Sequence, residues 1–220
     1  MNNSHSVTGM QFLLLVAMPF GIALAIVALL FVGCQQKTEE KPKPTVSMEN
    51  LQTAYGKSLQ RHRMYAVFAK NADGERLKNL ANLFRAVSRS EEIHAKLHAG
   101  LLRKNQVEPV VPAEDSLTIG TSFQTLKMAM SCEQLEYQSM YPNLSRTAEL
   151  EVFPDAAEQF RMVKDVDARH FELFKEAYDL AGRIPRTPYL LCPQCGYVFT
   201  SEETQECPVC HSKKQDFERI

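Results

Sequence analysis

The alternation of apolar and polar positions divides this 220-residue chain into three stretches. Phe12–Val32 is almost continuously apolar, interrupted by Pro19 and Gly21. From Met48 to Gly182 apolar residues recur three and four positions apart, the period of amphipathic helices. The last stretch, residues 185–220, is short and irregular.

The middle stretch reads as four helices. The first runs from Met48 and breaks at Asp73-Gly74, and the second covers about Glu75 to Lys104. Glu108 to Thr121, with Pro109 and Pro112, forms a long connection. Ser122 is a candidate N-cap for a third helix interrupted near Pro142. Phe153-Pro154-Asp155 opens a fourth, which Gly182 stops. Short, long and short connections predict an all-α four-helix bundle with one crossover.

Three of the apolar stripes break in the same way. In the second helix the row is Leu77, Leu80, Phe84, Val87, Glu91, His94, His98 and Leu101. In the fourth it is Phe160, Val163, Asp167, His170, Phe174 and Ala177, and on the third Leu126, Met130, Glu133, Glu136 and Met140 share a face. A buried carboxylate or imidazole costs several kcal/mol unless it is paired or metal-bound. Two carboxylate-x-x-His pairs plus two carboxylates from a third helix suit a pair of iron or manganese ions. His98 lies one turn beyond His94 and reads as a supporting or core residue. Cys132 reads as a small buried residue, and His62 offers no case for ligation.

The tail carries four of the six cysteines, as Cys192-Pro-Gln-Cys195 and Cys207-Pro-Val-Cys210. Two such knuckles bring four thiolates into a tetrahedron for one iron or zinc. Some thirty residues cannot form a core alone, so the metal supplies much of the folding energy.

The head is charge-free: the first 36 residues contain no Asp, Glu, Lys or Arg. Phe12–Val32 matches a hydrocarbon core of about 30 Å at a rise of about 1.5 Å per residue. It reads as an uncleaved transmembrane helix; the alternative is a lipoprotein signal ending in Phe31-Val32-Gly33-Cys34. Lys37, Lys41 and Lys43 follow the segment, which places the body in the cytoplasm, whereas lipidation of Cys34 would place it outside. The resulting division is residues 1–33 as anchor, 34–47 as linker, 48–184 as bundle and 185–220 as tail domain. A net charge of −1 argues against a nucleic-acid partner.

With both metal-type constellations placed, residues 48–220 resemble rubrerythrins, a ferritin-like diiron domain followed by a rubredoxin-like domain. The resemblance rests on Ser-Glu-Glu-Ile-His-Ala-Lys at 90–96, Glu-Gln-Leu-Glu with Met-Tyr-Pro at 133–142, Asp-Ala-Arg-His at 167–170, and the paired knuckles. It implies reduction of hydrogen peroxide at a diiron site. The electrons come from an electron-donor protein or reductase through the rubredoxin-type iron, commonly across a head-to-tail homodimer. By the same resemblance Glu91 and Asp167 bridge the irons, His94 and His170 are terminal ligands, and Glu133 holds the second iron. Glu136 is the carboxylate that exchanges with a histidine, and Cys192, Cys195, Cys207 and Cys210 hold the remaining iron.

Two departures bear on chemistry. The family's first-helix ligand glutamate lies in a Gly-Glu-Ser run, which reads here as Gly56-Lys57-Ser58; an ammonium at that place weakens binding of the first iron. Asp167 replaces the family's glutamate with a side chain one methylene shorter. The alternative to a peroxidase is therefore a degenerate metalloprotein with an electron-transfer or zinc-binding role.

Overall fold

The computed structural model describes residues 45–113, 119–200 and 205–220, and long helices account for most of these. The expected membrane segment, the linker to Pro44 and Cys34 lie outside these residues. Among the described residues no helix is long and apolar enough to cross a membrane.

Helix α1 spans Thr45–Gly74 and α2 Lys78–Lys104, and the two pack along their lengths. The first helix thus starts three residues before the expected Met48. Its opening turn is held by Glu151, whose carboxylate accepts from the Ser47 amide at 2.8 Å. The second starts three residues later than expected, because Arg76 sits in the left-handed region at φ 64° and cannot join a helix. The Leu77 amide closes that turn onto Ala72 O at 2.8 Å.

The crossover runs alongside α1, where the Gln52 side chain exchanges hydrogen bonds of 2.7 and 2.9 Å with the Val110 backbone. Helix α3, Ser122–Leu135, is capped by Thr121 rather than Ser122. Thr121 and Gln124 form a reciprocal capping box, and the Ser122 amide donates instead to Glu75 at 2.8 Å.

The interruption expected near Pro142 is a π-helical segment, Glu136–Met140, followed by α4, Tyr141–Leu150. A π turn holds one extra residue, so the buried row that should continue through Met140 moves to Tyr141. Tyr141 is fully buried and Met140 only partly so. Helix α5, Pro154–Asp179, completes the bundle and ends through Gly182, whose left-handed φ of 76° lets its amide reach Ala177 O at 2.8 Å.

Two apolar layers fill the bundle. One contains Tyr65, Phe68, Phe84 and Phe174, whose ring centroids lie 5.3–6.3 Å apart. The other contains Leu51, Leu102, Tyr141, Phe160 and Val163. Glu91 and His94 on α2, and Asp167 and His170 on α5, fall between the two layers in sequence and in space.

The tail is a three-stranded antiparallel sheet in the order β2-β1-β3, formed by β1 Leu190–Leu191, β2 Val198–Phe199 and β3 Glu218–Arg219. Its small core of Leu190, Phe199 and three cysteines includes Val166 of α5. Leu191 and Val198 join the bundle's aromatic layer, so the tail is docked on its own bundle.

Candidate metal centre

Every sequence-predicted residue of the bundle site is buried: Glu91, His94, Glu133, Asp167 and His170 at 0% exposure and Glu136 at 1%. One ligand atom each from Glu91, Glu133, Asp167 and His170 lies within 4.8 Å of the others. His170 Nδ1 is 3.2 Å from Glu133 and 3.5 Å from Glu91. His94 stands at the edge of this group, its Nδ1 3.3 Å from Glu91 and 3.5 Å from Asp167. Glu136 is turned elsewhere and forms an ion pair with Arg61 at 2.7 Å.

The electrostatics are those of crowded anions. Burial and the neighbouring Glu91 and Glu133 charges push Asp167 well above the usual carboxylate range. Burial acts on Glu91 in the same sense, but the imidazoles of His94 and His170 outweigh it and hold that carboxyl low. Burial works against a charged His170, yet its hydrogen bond to Glu133 and the charges of Glu133 and Glu91 raise it to about 9. Glu136 is pushed up to about 8 by burial, with Arg61 opposing and the Glu133 and Glu91 charges adding.

Divalent cations fit this arrangement. Both oxygens of Glu91 and of Asp167, His94 Nδ1 and His170 Nε2 are buried without a hydrogen-bond partner. Leaving such atoms unpaired costs about 1–3 kcal/mol each, more for charged groups, and oxygen and imidazole donors are what iron or manganese takes.

The Lys57 expectation is corrected. Lys57 lies on the exposed side of α1, because the buried row is Leu51, Ala54, Ser58, Arg61, Tyr65, Phe68 and Ala72. No carboxylate stands in that row. The cation that enters the centre is Arg61, one turn further on, and Tyr65 donates its hydroxyl proton to Glu133 in a short hydrogen bond. Arg61 is the polar break in the first helix's own stripe, at the same helical period that marks the other three.

Supporting residues surround the centre. His98 is fully buried, with Nε2 3.2 Å from the Tyr141 hydroxyl and Nδ1 2.8 Å from the Gln159 amide nitrogen. Burial chiefly holds its pKa down to about 3. His62 pairs with Ser88 across α1 and α2 at 2.9 Å, and Cys132 is a partly buried free thiol.

The four tail cysteines converge within 4.8 Å, with Cys192 Sγ 3.4 Å from Cys210 Sγ and Cys195 Sγ 3.5 Å from Cys207 Sγ. A tetrahedron built on metal–sulfur bonds of about 2.3 Å has edges of about 3.8 Å, so one ion fits with little movement. The two knuckles repeat each other fifteen residues apart. The amides of Gly196 and His211 bond Cys192 O and Cys207 O at 2.9 and 3.0 Å, and both residues are left-handed.

The knuckle touches the bundle centre directly. His94 Nε2 lies 3.1 Å from Cys195 O, and Ser90 Oγ donates to Gly196 O at 2.6 Å. A Cβ on Gly196 would collide with Ser90 Oγ and come within 3.0 Å of His94 Nε2, so glycine is required for the approach.

Fold and sites together define a ferritin-like helical bundle with a buried carboxylate–histidine centre and an attached four-cysteine domain. A family model described as Rubrerythrin matches residues 49–178, and the chain belongs to that family. It is 28% identical to Rubrerythrin-2 of Clostridium acetobutylicum over 80% of this chain and 97% of that protein. It is 29% identical to nigerythrin of Nitratidesulfovibrio vulgaris, covering 78% of this chain and 85% of the relative. A solved structure of the fully reduced, all-ferrous state of nigerythrin superposes with a TM-score of 0.73 over 79% of this chain and 86% of that one, at 28% identity.

Proposed function

We propose that this protein is a rubrerythrin-type non-haem iron oxidoreductase that reduces hydrogen peroxide, held at a membrane by Phe12–Val32. The observation that carries the reading is the pairing of two metal-fit sites through the 3.1 Å contact between His94 Nε2 and Cys195 O. Iron held at both sites would supply the two electrons that, with two protons, convert one hydrogen peroxide into two waters.

The chain's own residues do the rest. Glu91, Glu133, Asp167 and His170 form one complete donor set, and His94 offers Nδ1 to the centre while its other nitrogen faces the cysteine domain. His94 thus stands between the two sites and, as a ligand, would give electrons a short covalent and hydrogen-bonded route. The apolar layers above and below exclude water, which strengthens each charge interaction within the centre. Tyr65 holds a proton on its hydroxyl against Glu133, and the Tyr141 hydroxyl, joined to His98, is a second buried proton carrier. We assign residues 48–184 to the iron-binding bundle and 185–220 to the electron-relay domain. The protein works as a homodimer supplied by an electron-donor protein or reductase, with its body in the cytoplasm.

The test is metal analysis and reoxidation of the full chain. Iron in both sites, loss of the reduced spectrum on adding peroxide, and sustained turnover with an artificial electron donor are expected. The Arg61–Glu136 pair favours a second reading, a metalloprotein without peroxidase activity. Metal confined to the cysteines, with no peroxide turnover, would establish it.

A further inference from the structure

The donors of the bundle centre are unequal. Glu91, Glu133, Asp167 and His170 already lie together as a four-donor set, whereas Glu136 is diverted to Arg61. The buried polar side chains of α1 near the centre are Ser58, Arg61 and Tyr65, so that helix contributes no carboxylate to a second ion.

Arg61 is held in an unusual way. Its side chain is only 10% exposed, and its Nε is buried without a hydrogen-bond partner. One of its donors is therefore unsatisfied, which is weaker than complete guanidinium anchoring. Arg61 also lines a groove of about 700 Å³ beside α1, together with Gln52, Lys57, Gln60, Arg63 and Pro112. A long, flexible side chain there has somewhere to go.

We propose that Arg61 is a tethered competitor for the second metal ion, holding Glu136 until that ion takes the carboxylate and sends the guanidinium into the groove. This rests on the reading of the centre as a metal site. With one divalent ion in the four-donor set, Arg61 supplies the next positive charge that the carboxylates require. A second divalent ion must either displace it or bind beside it against like-charge repulsion. The two positions consequently fill in sequence, and the second is the labile one.

Anaerobic titration of the metal-free full chain with Co2+ tests this, read by calorimetry and by absorption. Thiolate-to-cobalt charge-transfer bands count the cysteine site, and weaker ligand-field bands count the bundle. Two bundle steps of clearly different affinity are expected. Arg61→Gln should strengthen the second step by about tenfold or more, since it removes one buried charge near the ion. Arg61→Lys, which keeps a cation, should preserve the gap. Equal steps in the native protein, or a second step unmoved by Arg61→Gln, would overturn the proposal. Absence of any cobalt outside the cysteines would sink the metal-centre reading itself, a distinct outcome.

Discussion

At the scale of single residues, His98 shows most simply what a buried polar group with polar neighbours does to stability. It is neutral and buried between Tyr141 and Gln159, with its pKa lowered from 6.5 to about 3. Between those values the unfolded chain binds a proton on His98 that the folded chain does not. Stability attributable to this residue is therefore complete above pH 6.5 and falls as pH falls, by about 1.4 kcal/mol per pH unit. Chemical denaturation at pH 7 and pH 5 should show a native loss about 2 kcal/mol greater than that of His98→Gln. Equal losses would refute the assignment of a neutral, proton-excluding environment. The same scale contains the largest departure from expectation. Lys57 and Arg61 are both basic residues of one helix, yet only Arg61 lies on its buried row, so the cation near the centre is not the one in the Gly-Lys-Ser run.

At the scale of elements, the centre is made by helices whose apolar rows turn polar at matching depth. The rows of α2 and α5 were legible as carboxylate-x-x-His because an i, i+3 pair needs only helical geometry. The π segment was less legible. Proline at 142 marked an irregularity, but whether the chain kinks, stops or inserts a residue depends on what packs against it. Inserting one residue buried Tyr141 beside His98 in place of Met140. The docking of the knuckle on α2 is the other element-level device. Gly196, at φ 86° and in close approach to Ser90 and His94, permits it. Gly196→Ala should destabilise the docked tail by about 1–3 kcal/mol and slow reduction of the bundle centre from the cysteine-bound iron. Stopped-flow spectroscopy checks the rate, and an unchanged rate would show that the His94–Cys195 contact is not the route.

At the scale of the whole molecule, one body carries two metal-fit sites that meet through a single imidazole. The tail lies against its own bundle, which makes an electron path within one chain possible without an exchange of domains between subunits. The proposed membrane tether concerns where that body works. Removal of residues 1–44 should shift the protein from a carbonate-resistant membrane fraction to the supernatant while the helical circular dichroism signal persists. A full-length protein found in the supernatant would argue against the tether.

The sequence alone determined the helical class, the crossover, both metal-type constellations and the family resemblance, because these rest on periodicity and on donor spacing along one element. Only the tertiary structure decided what crosses between elements. It set Arg61 against Glu136, Tyr65 against Glu133, and His94 between its own site and Cys195. Such pairings depend on the rotation of each helix about its axis, and rotation is fixed by the burial of whole faces rather than by any local motif.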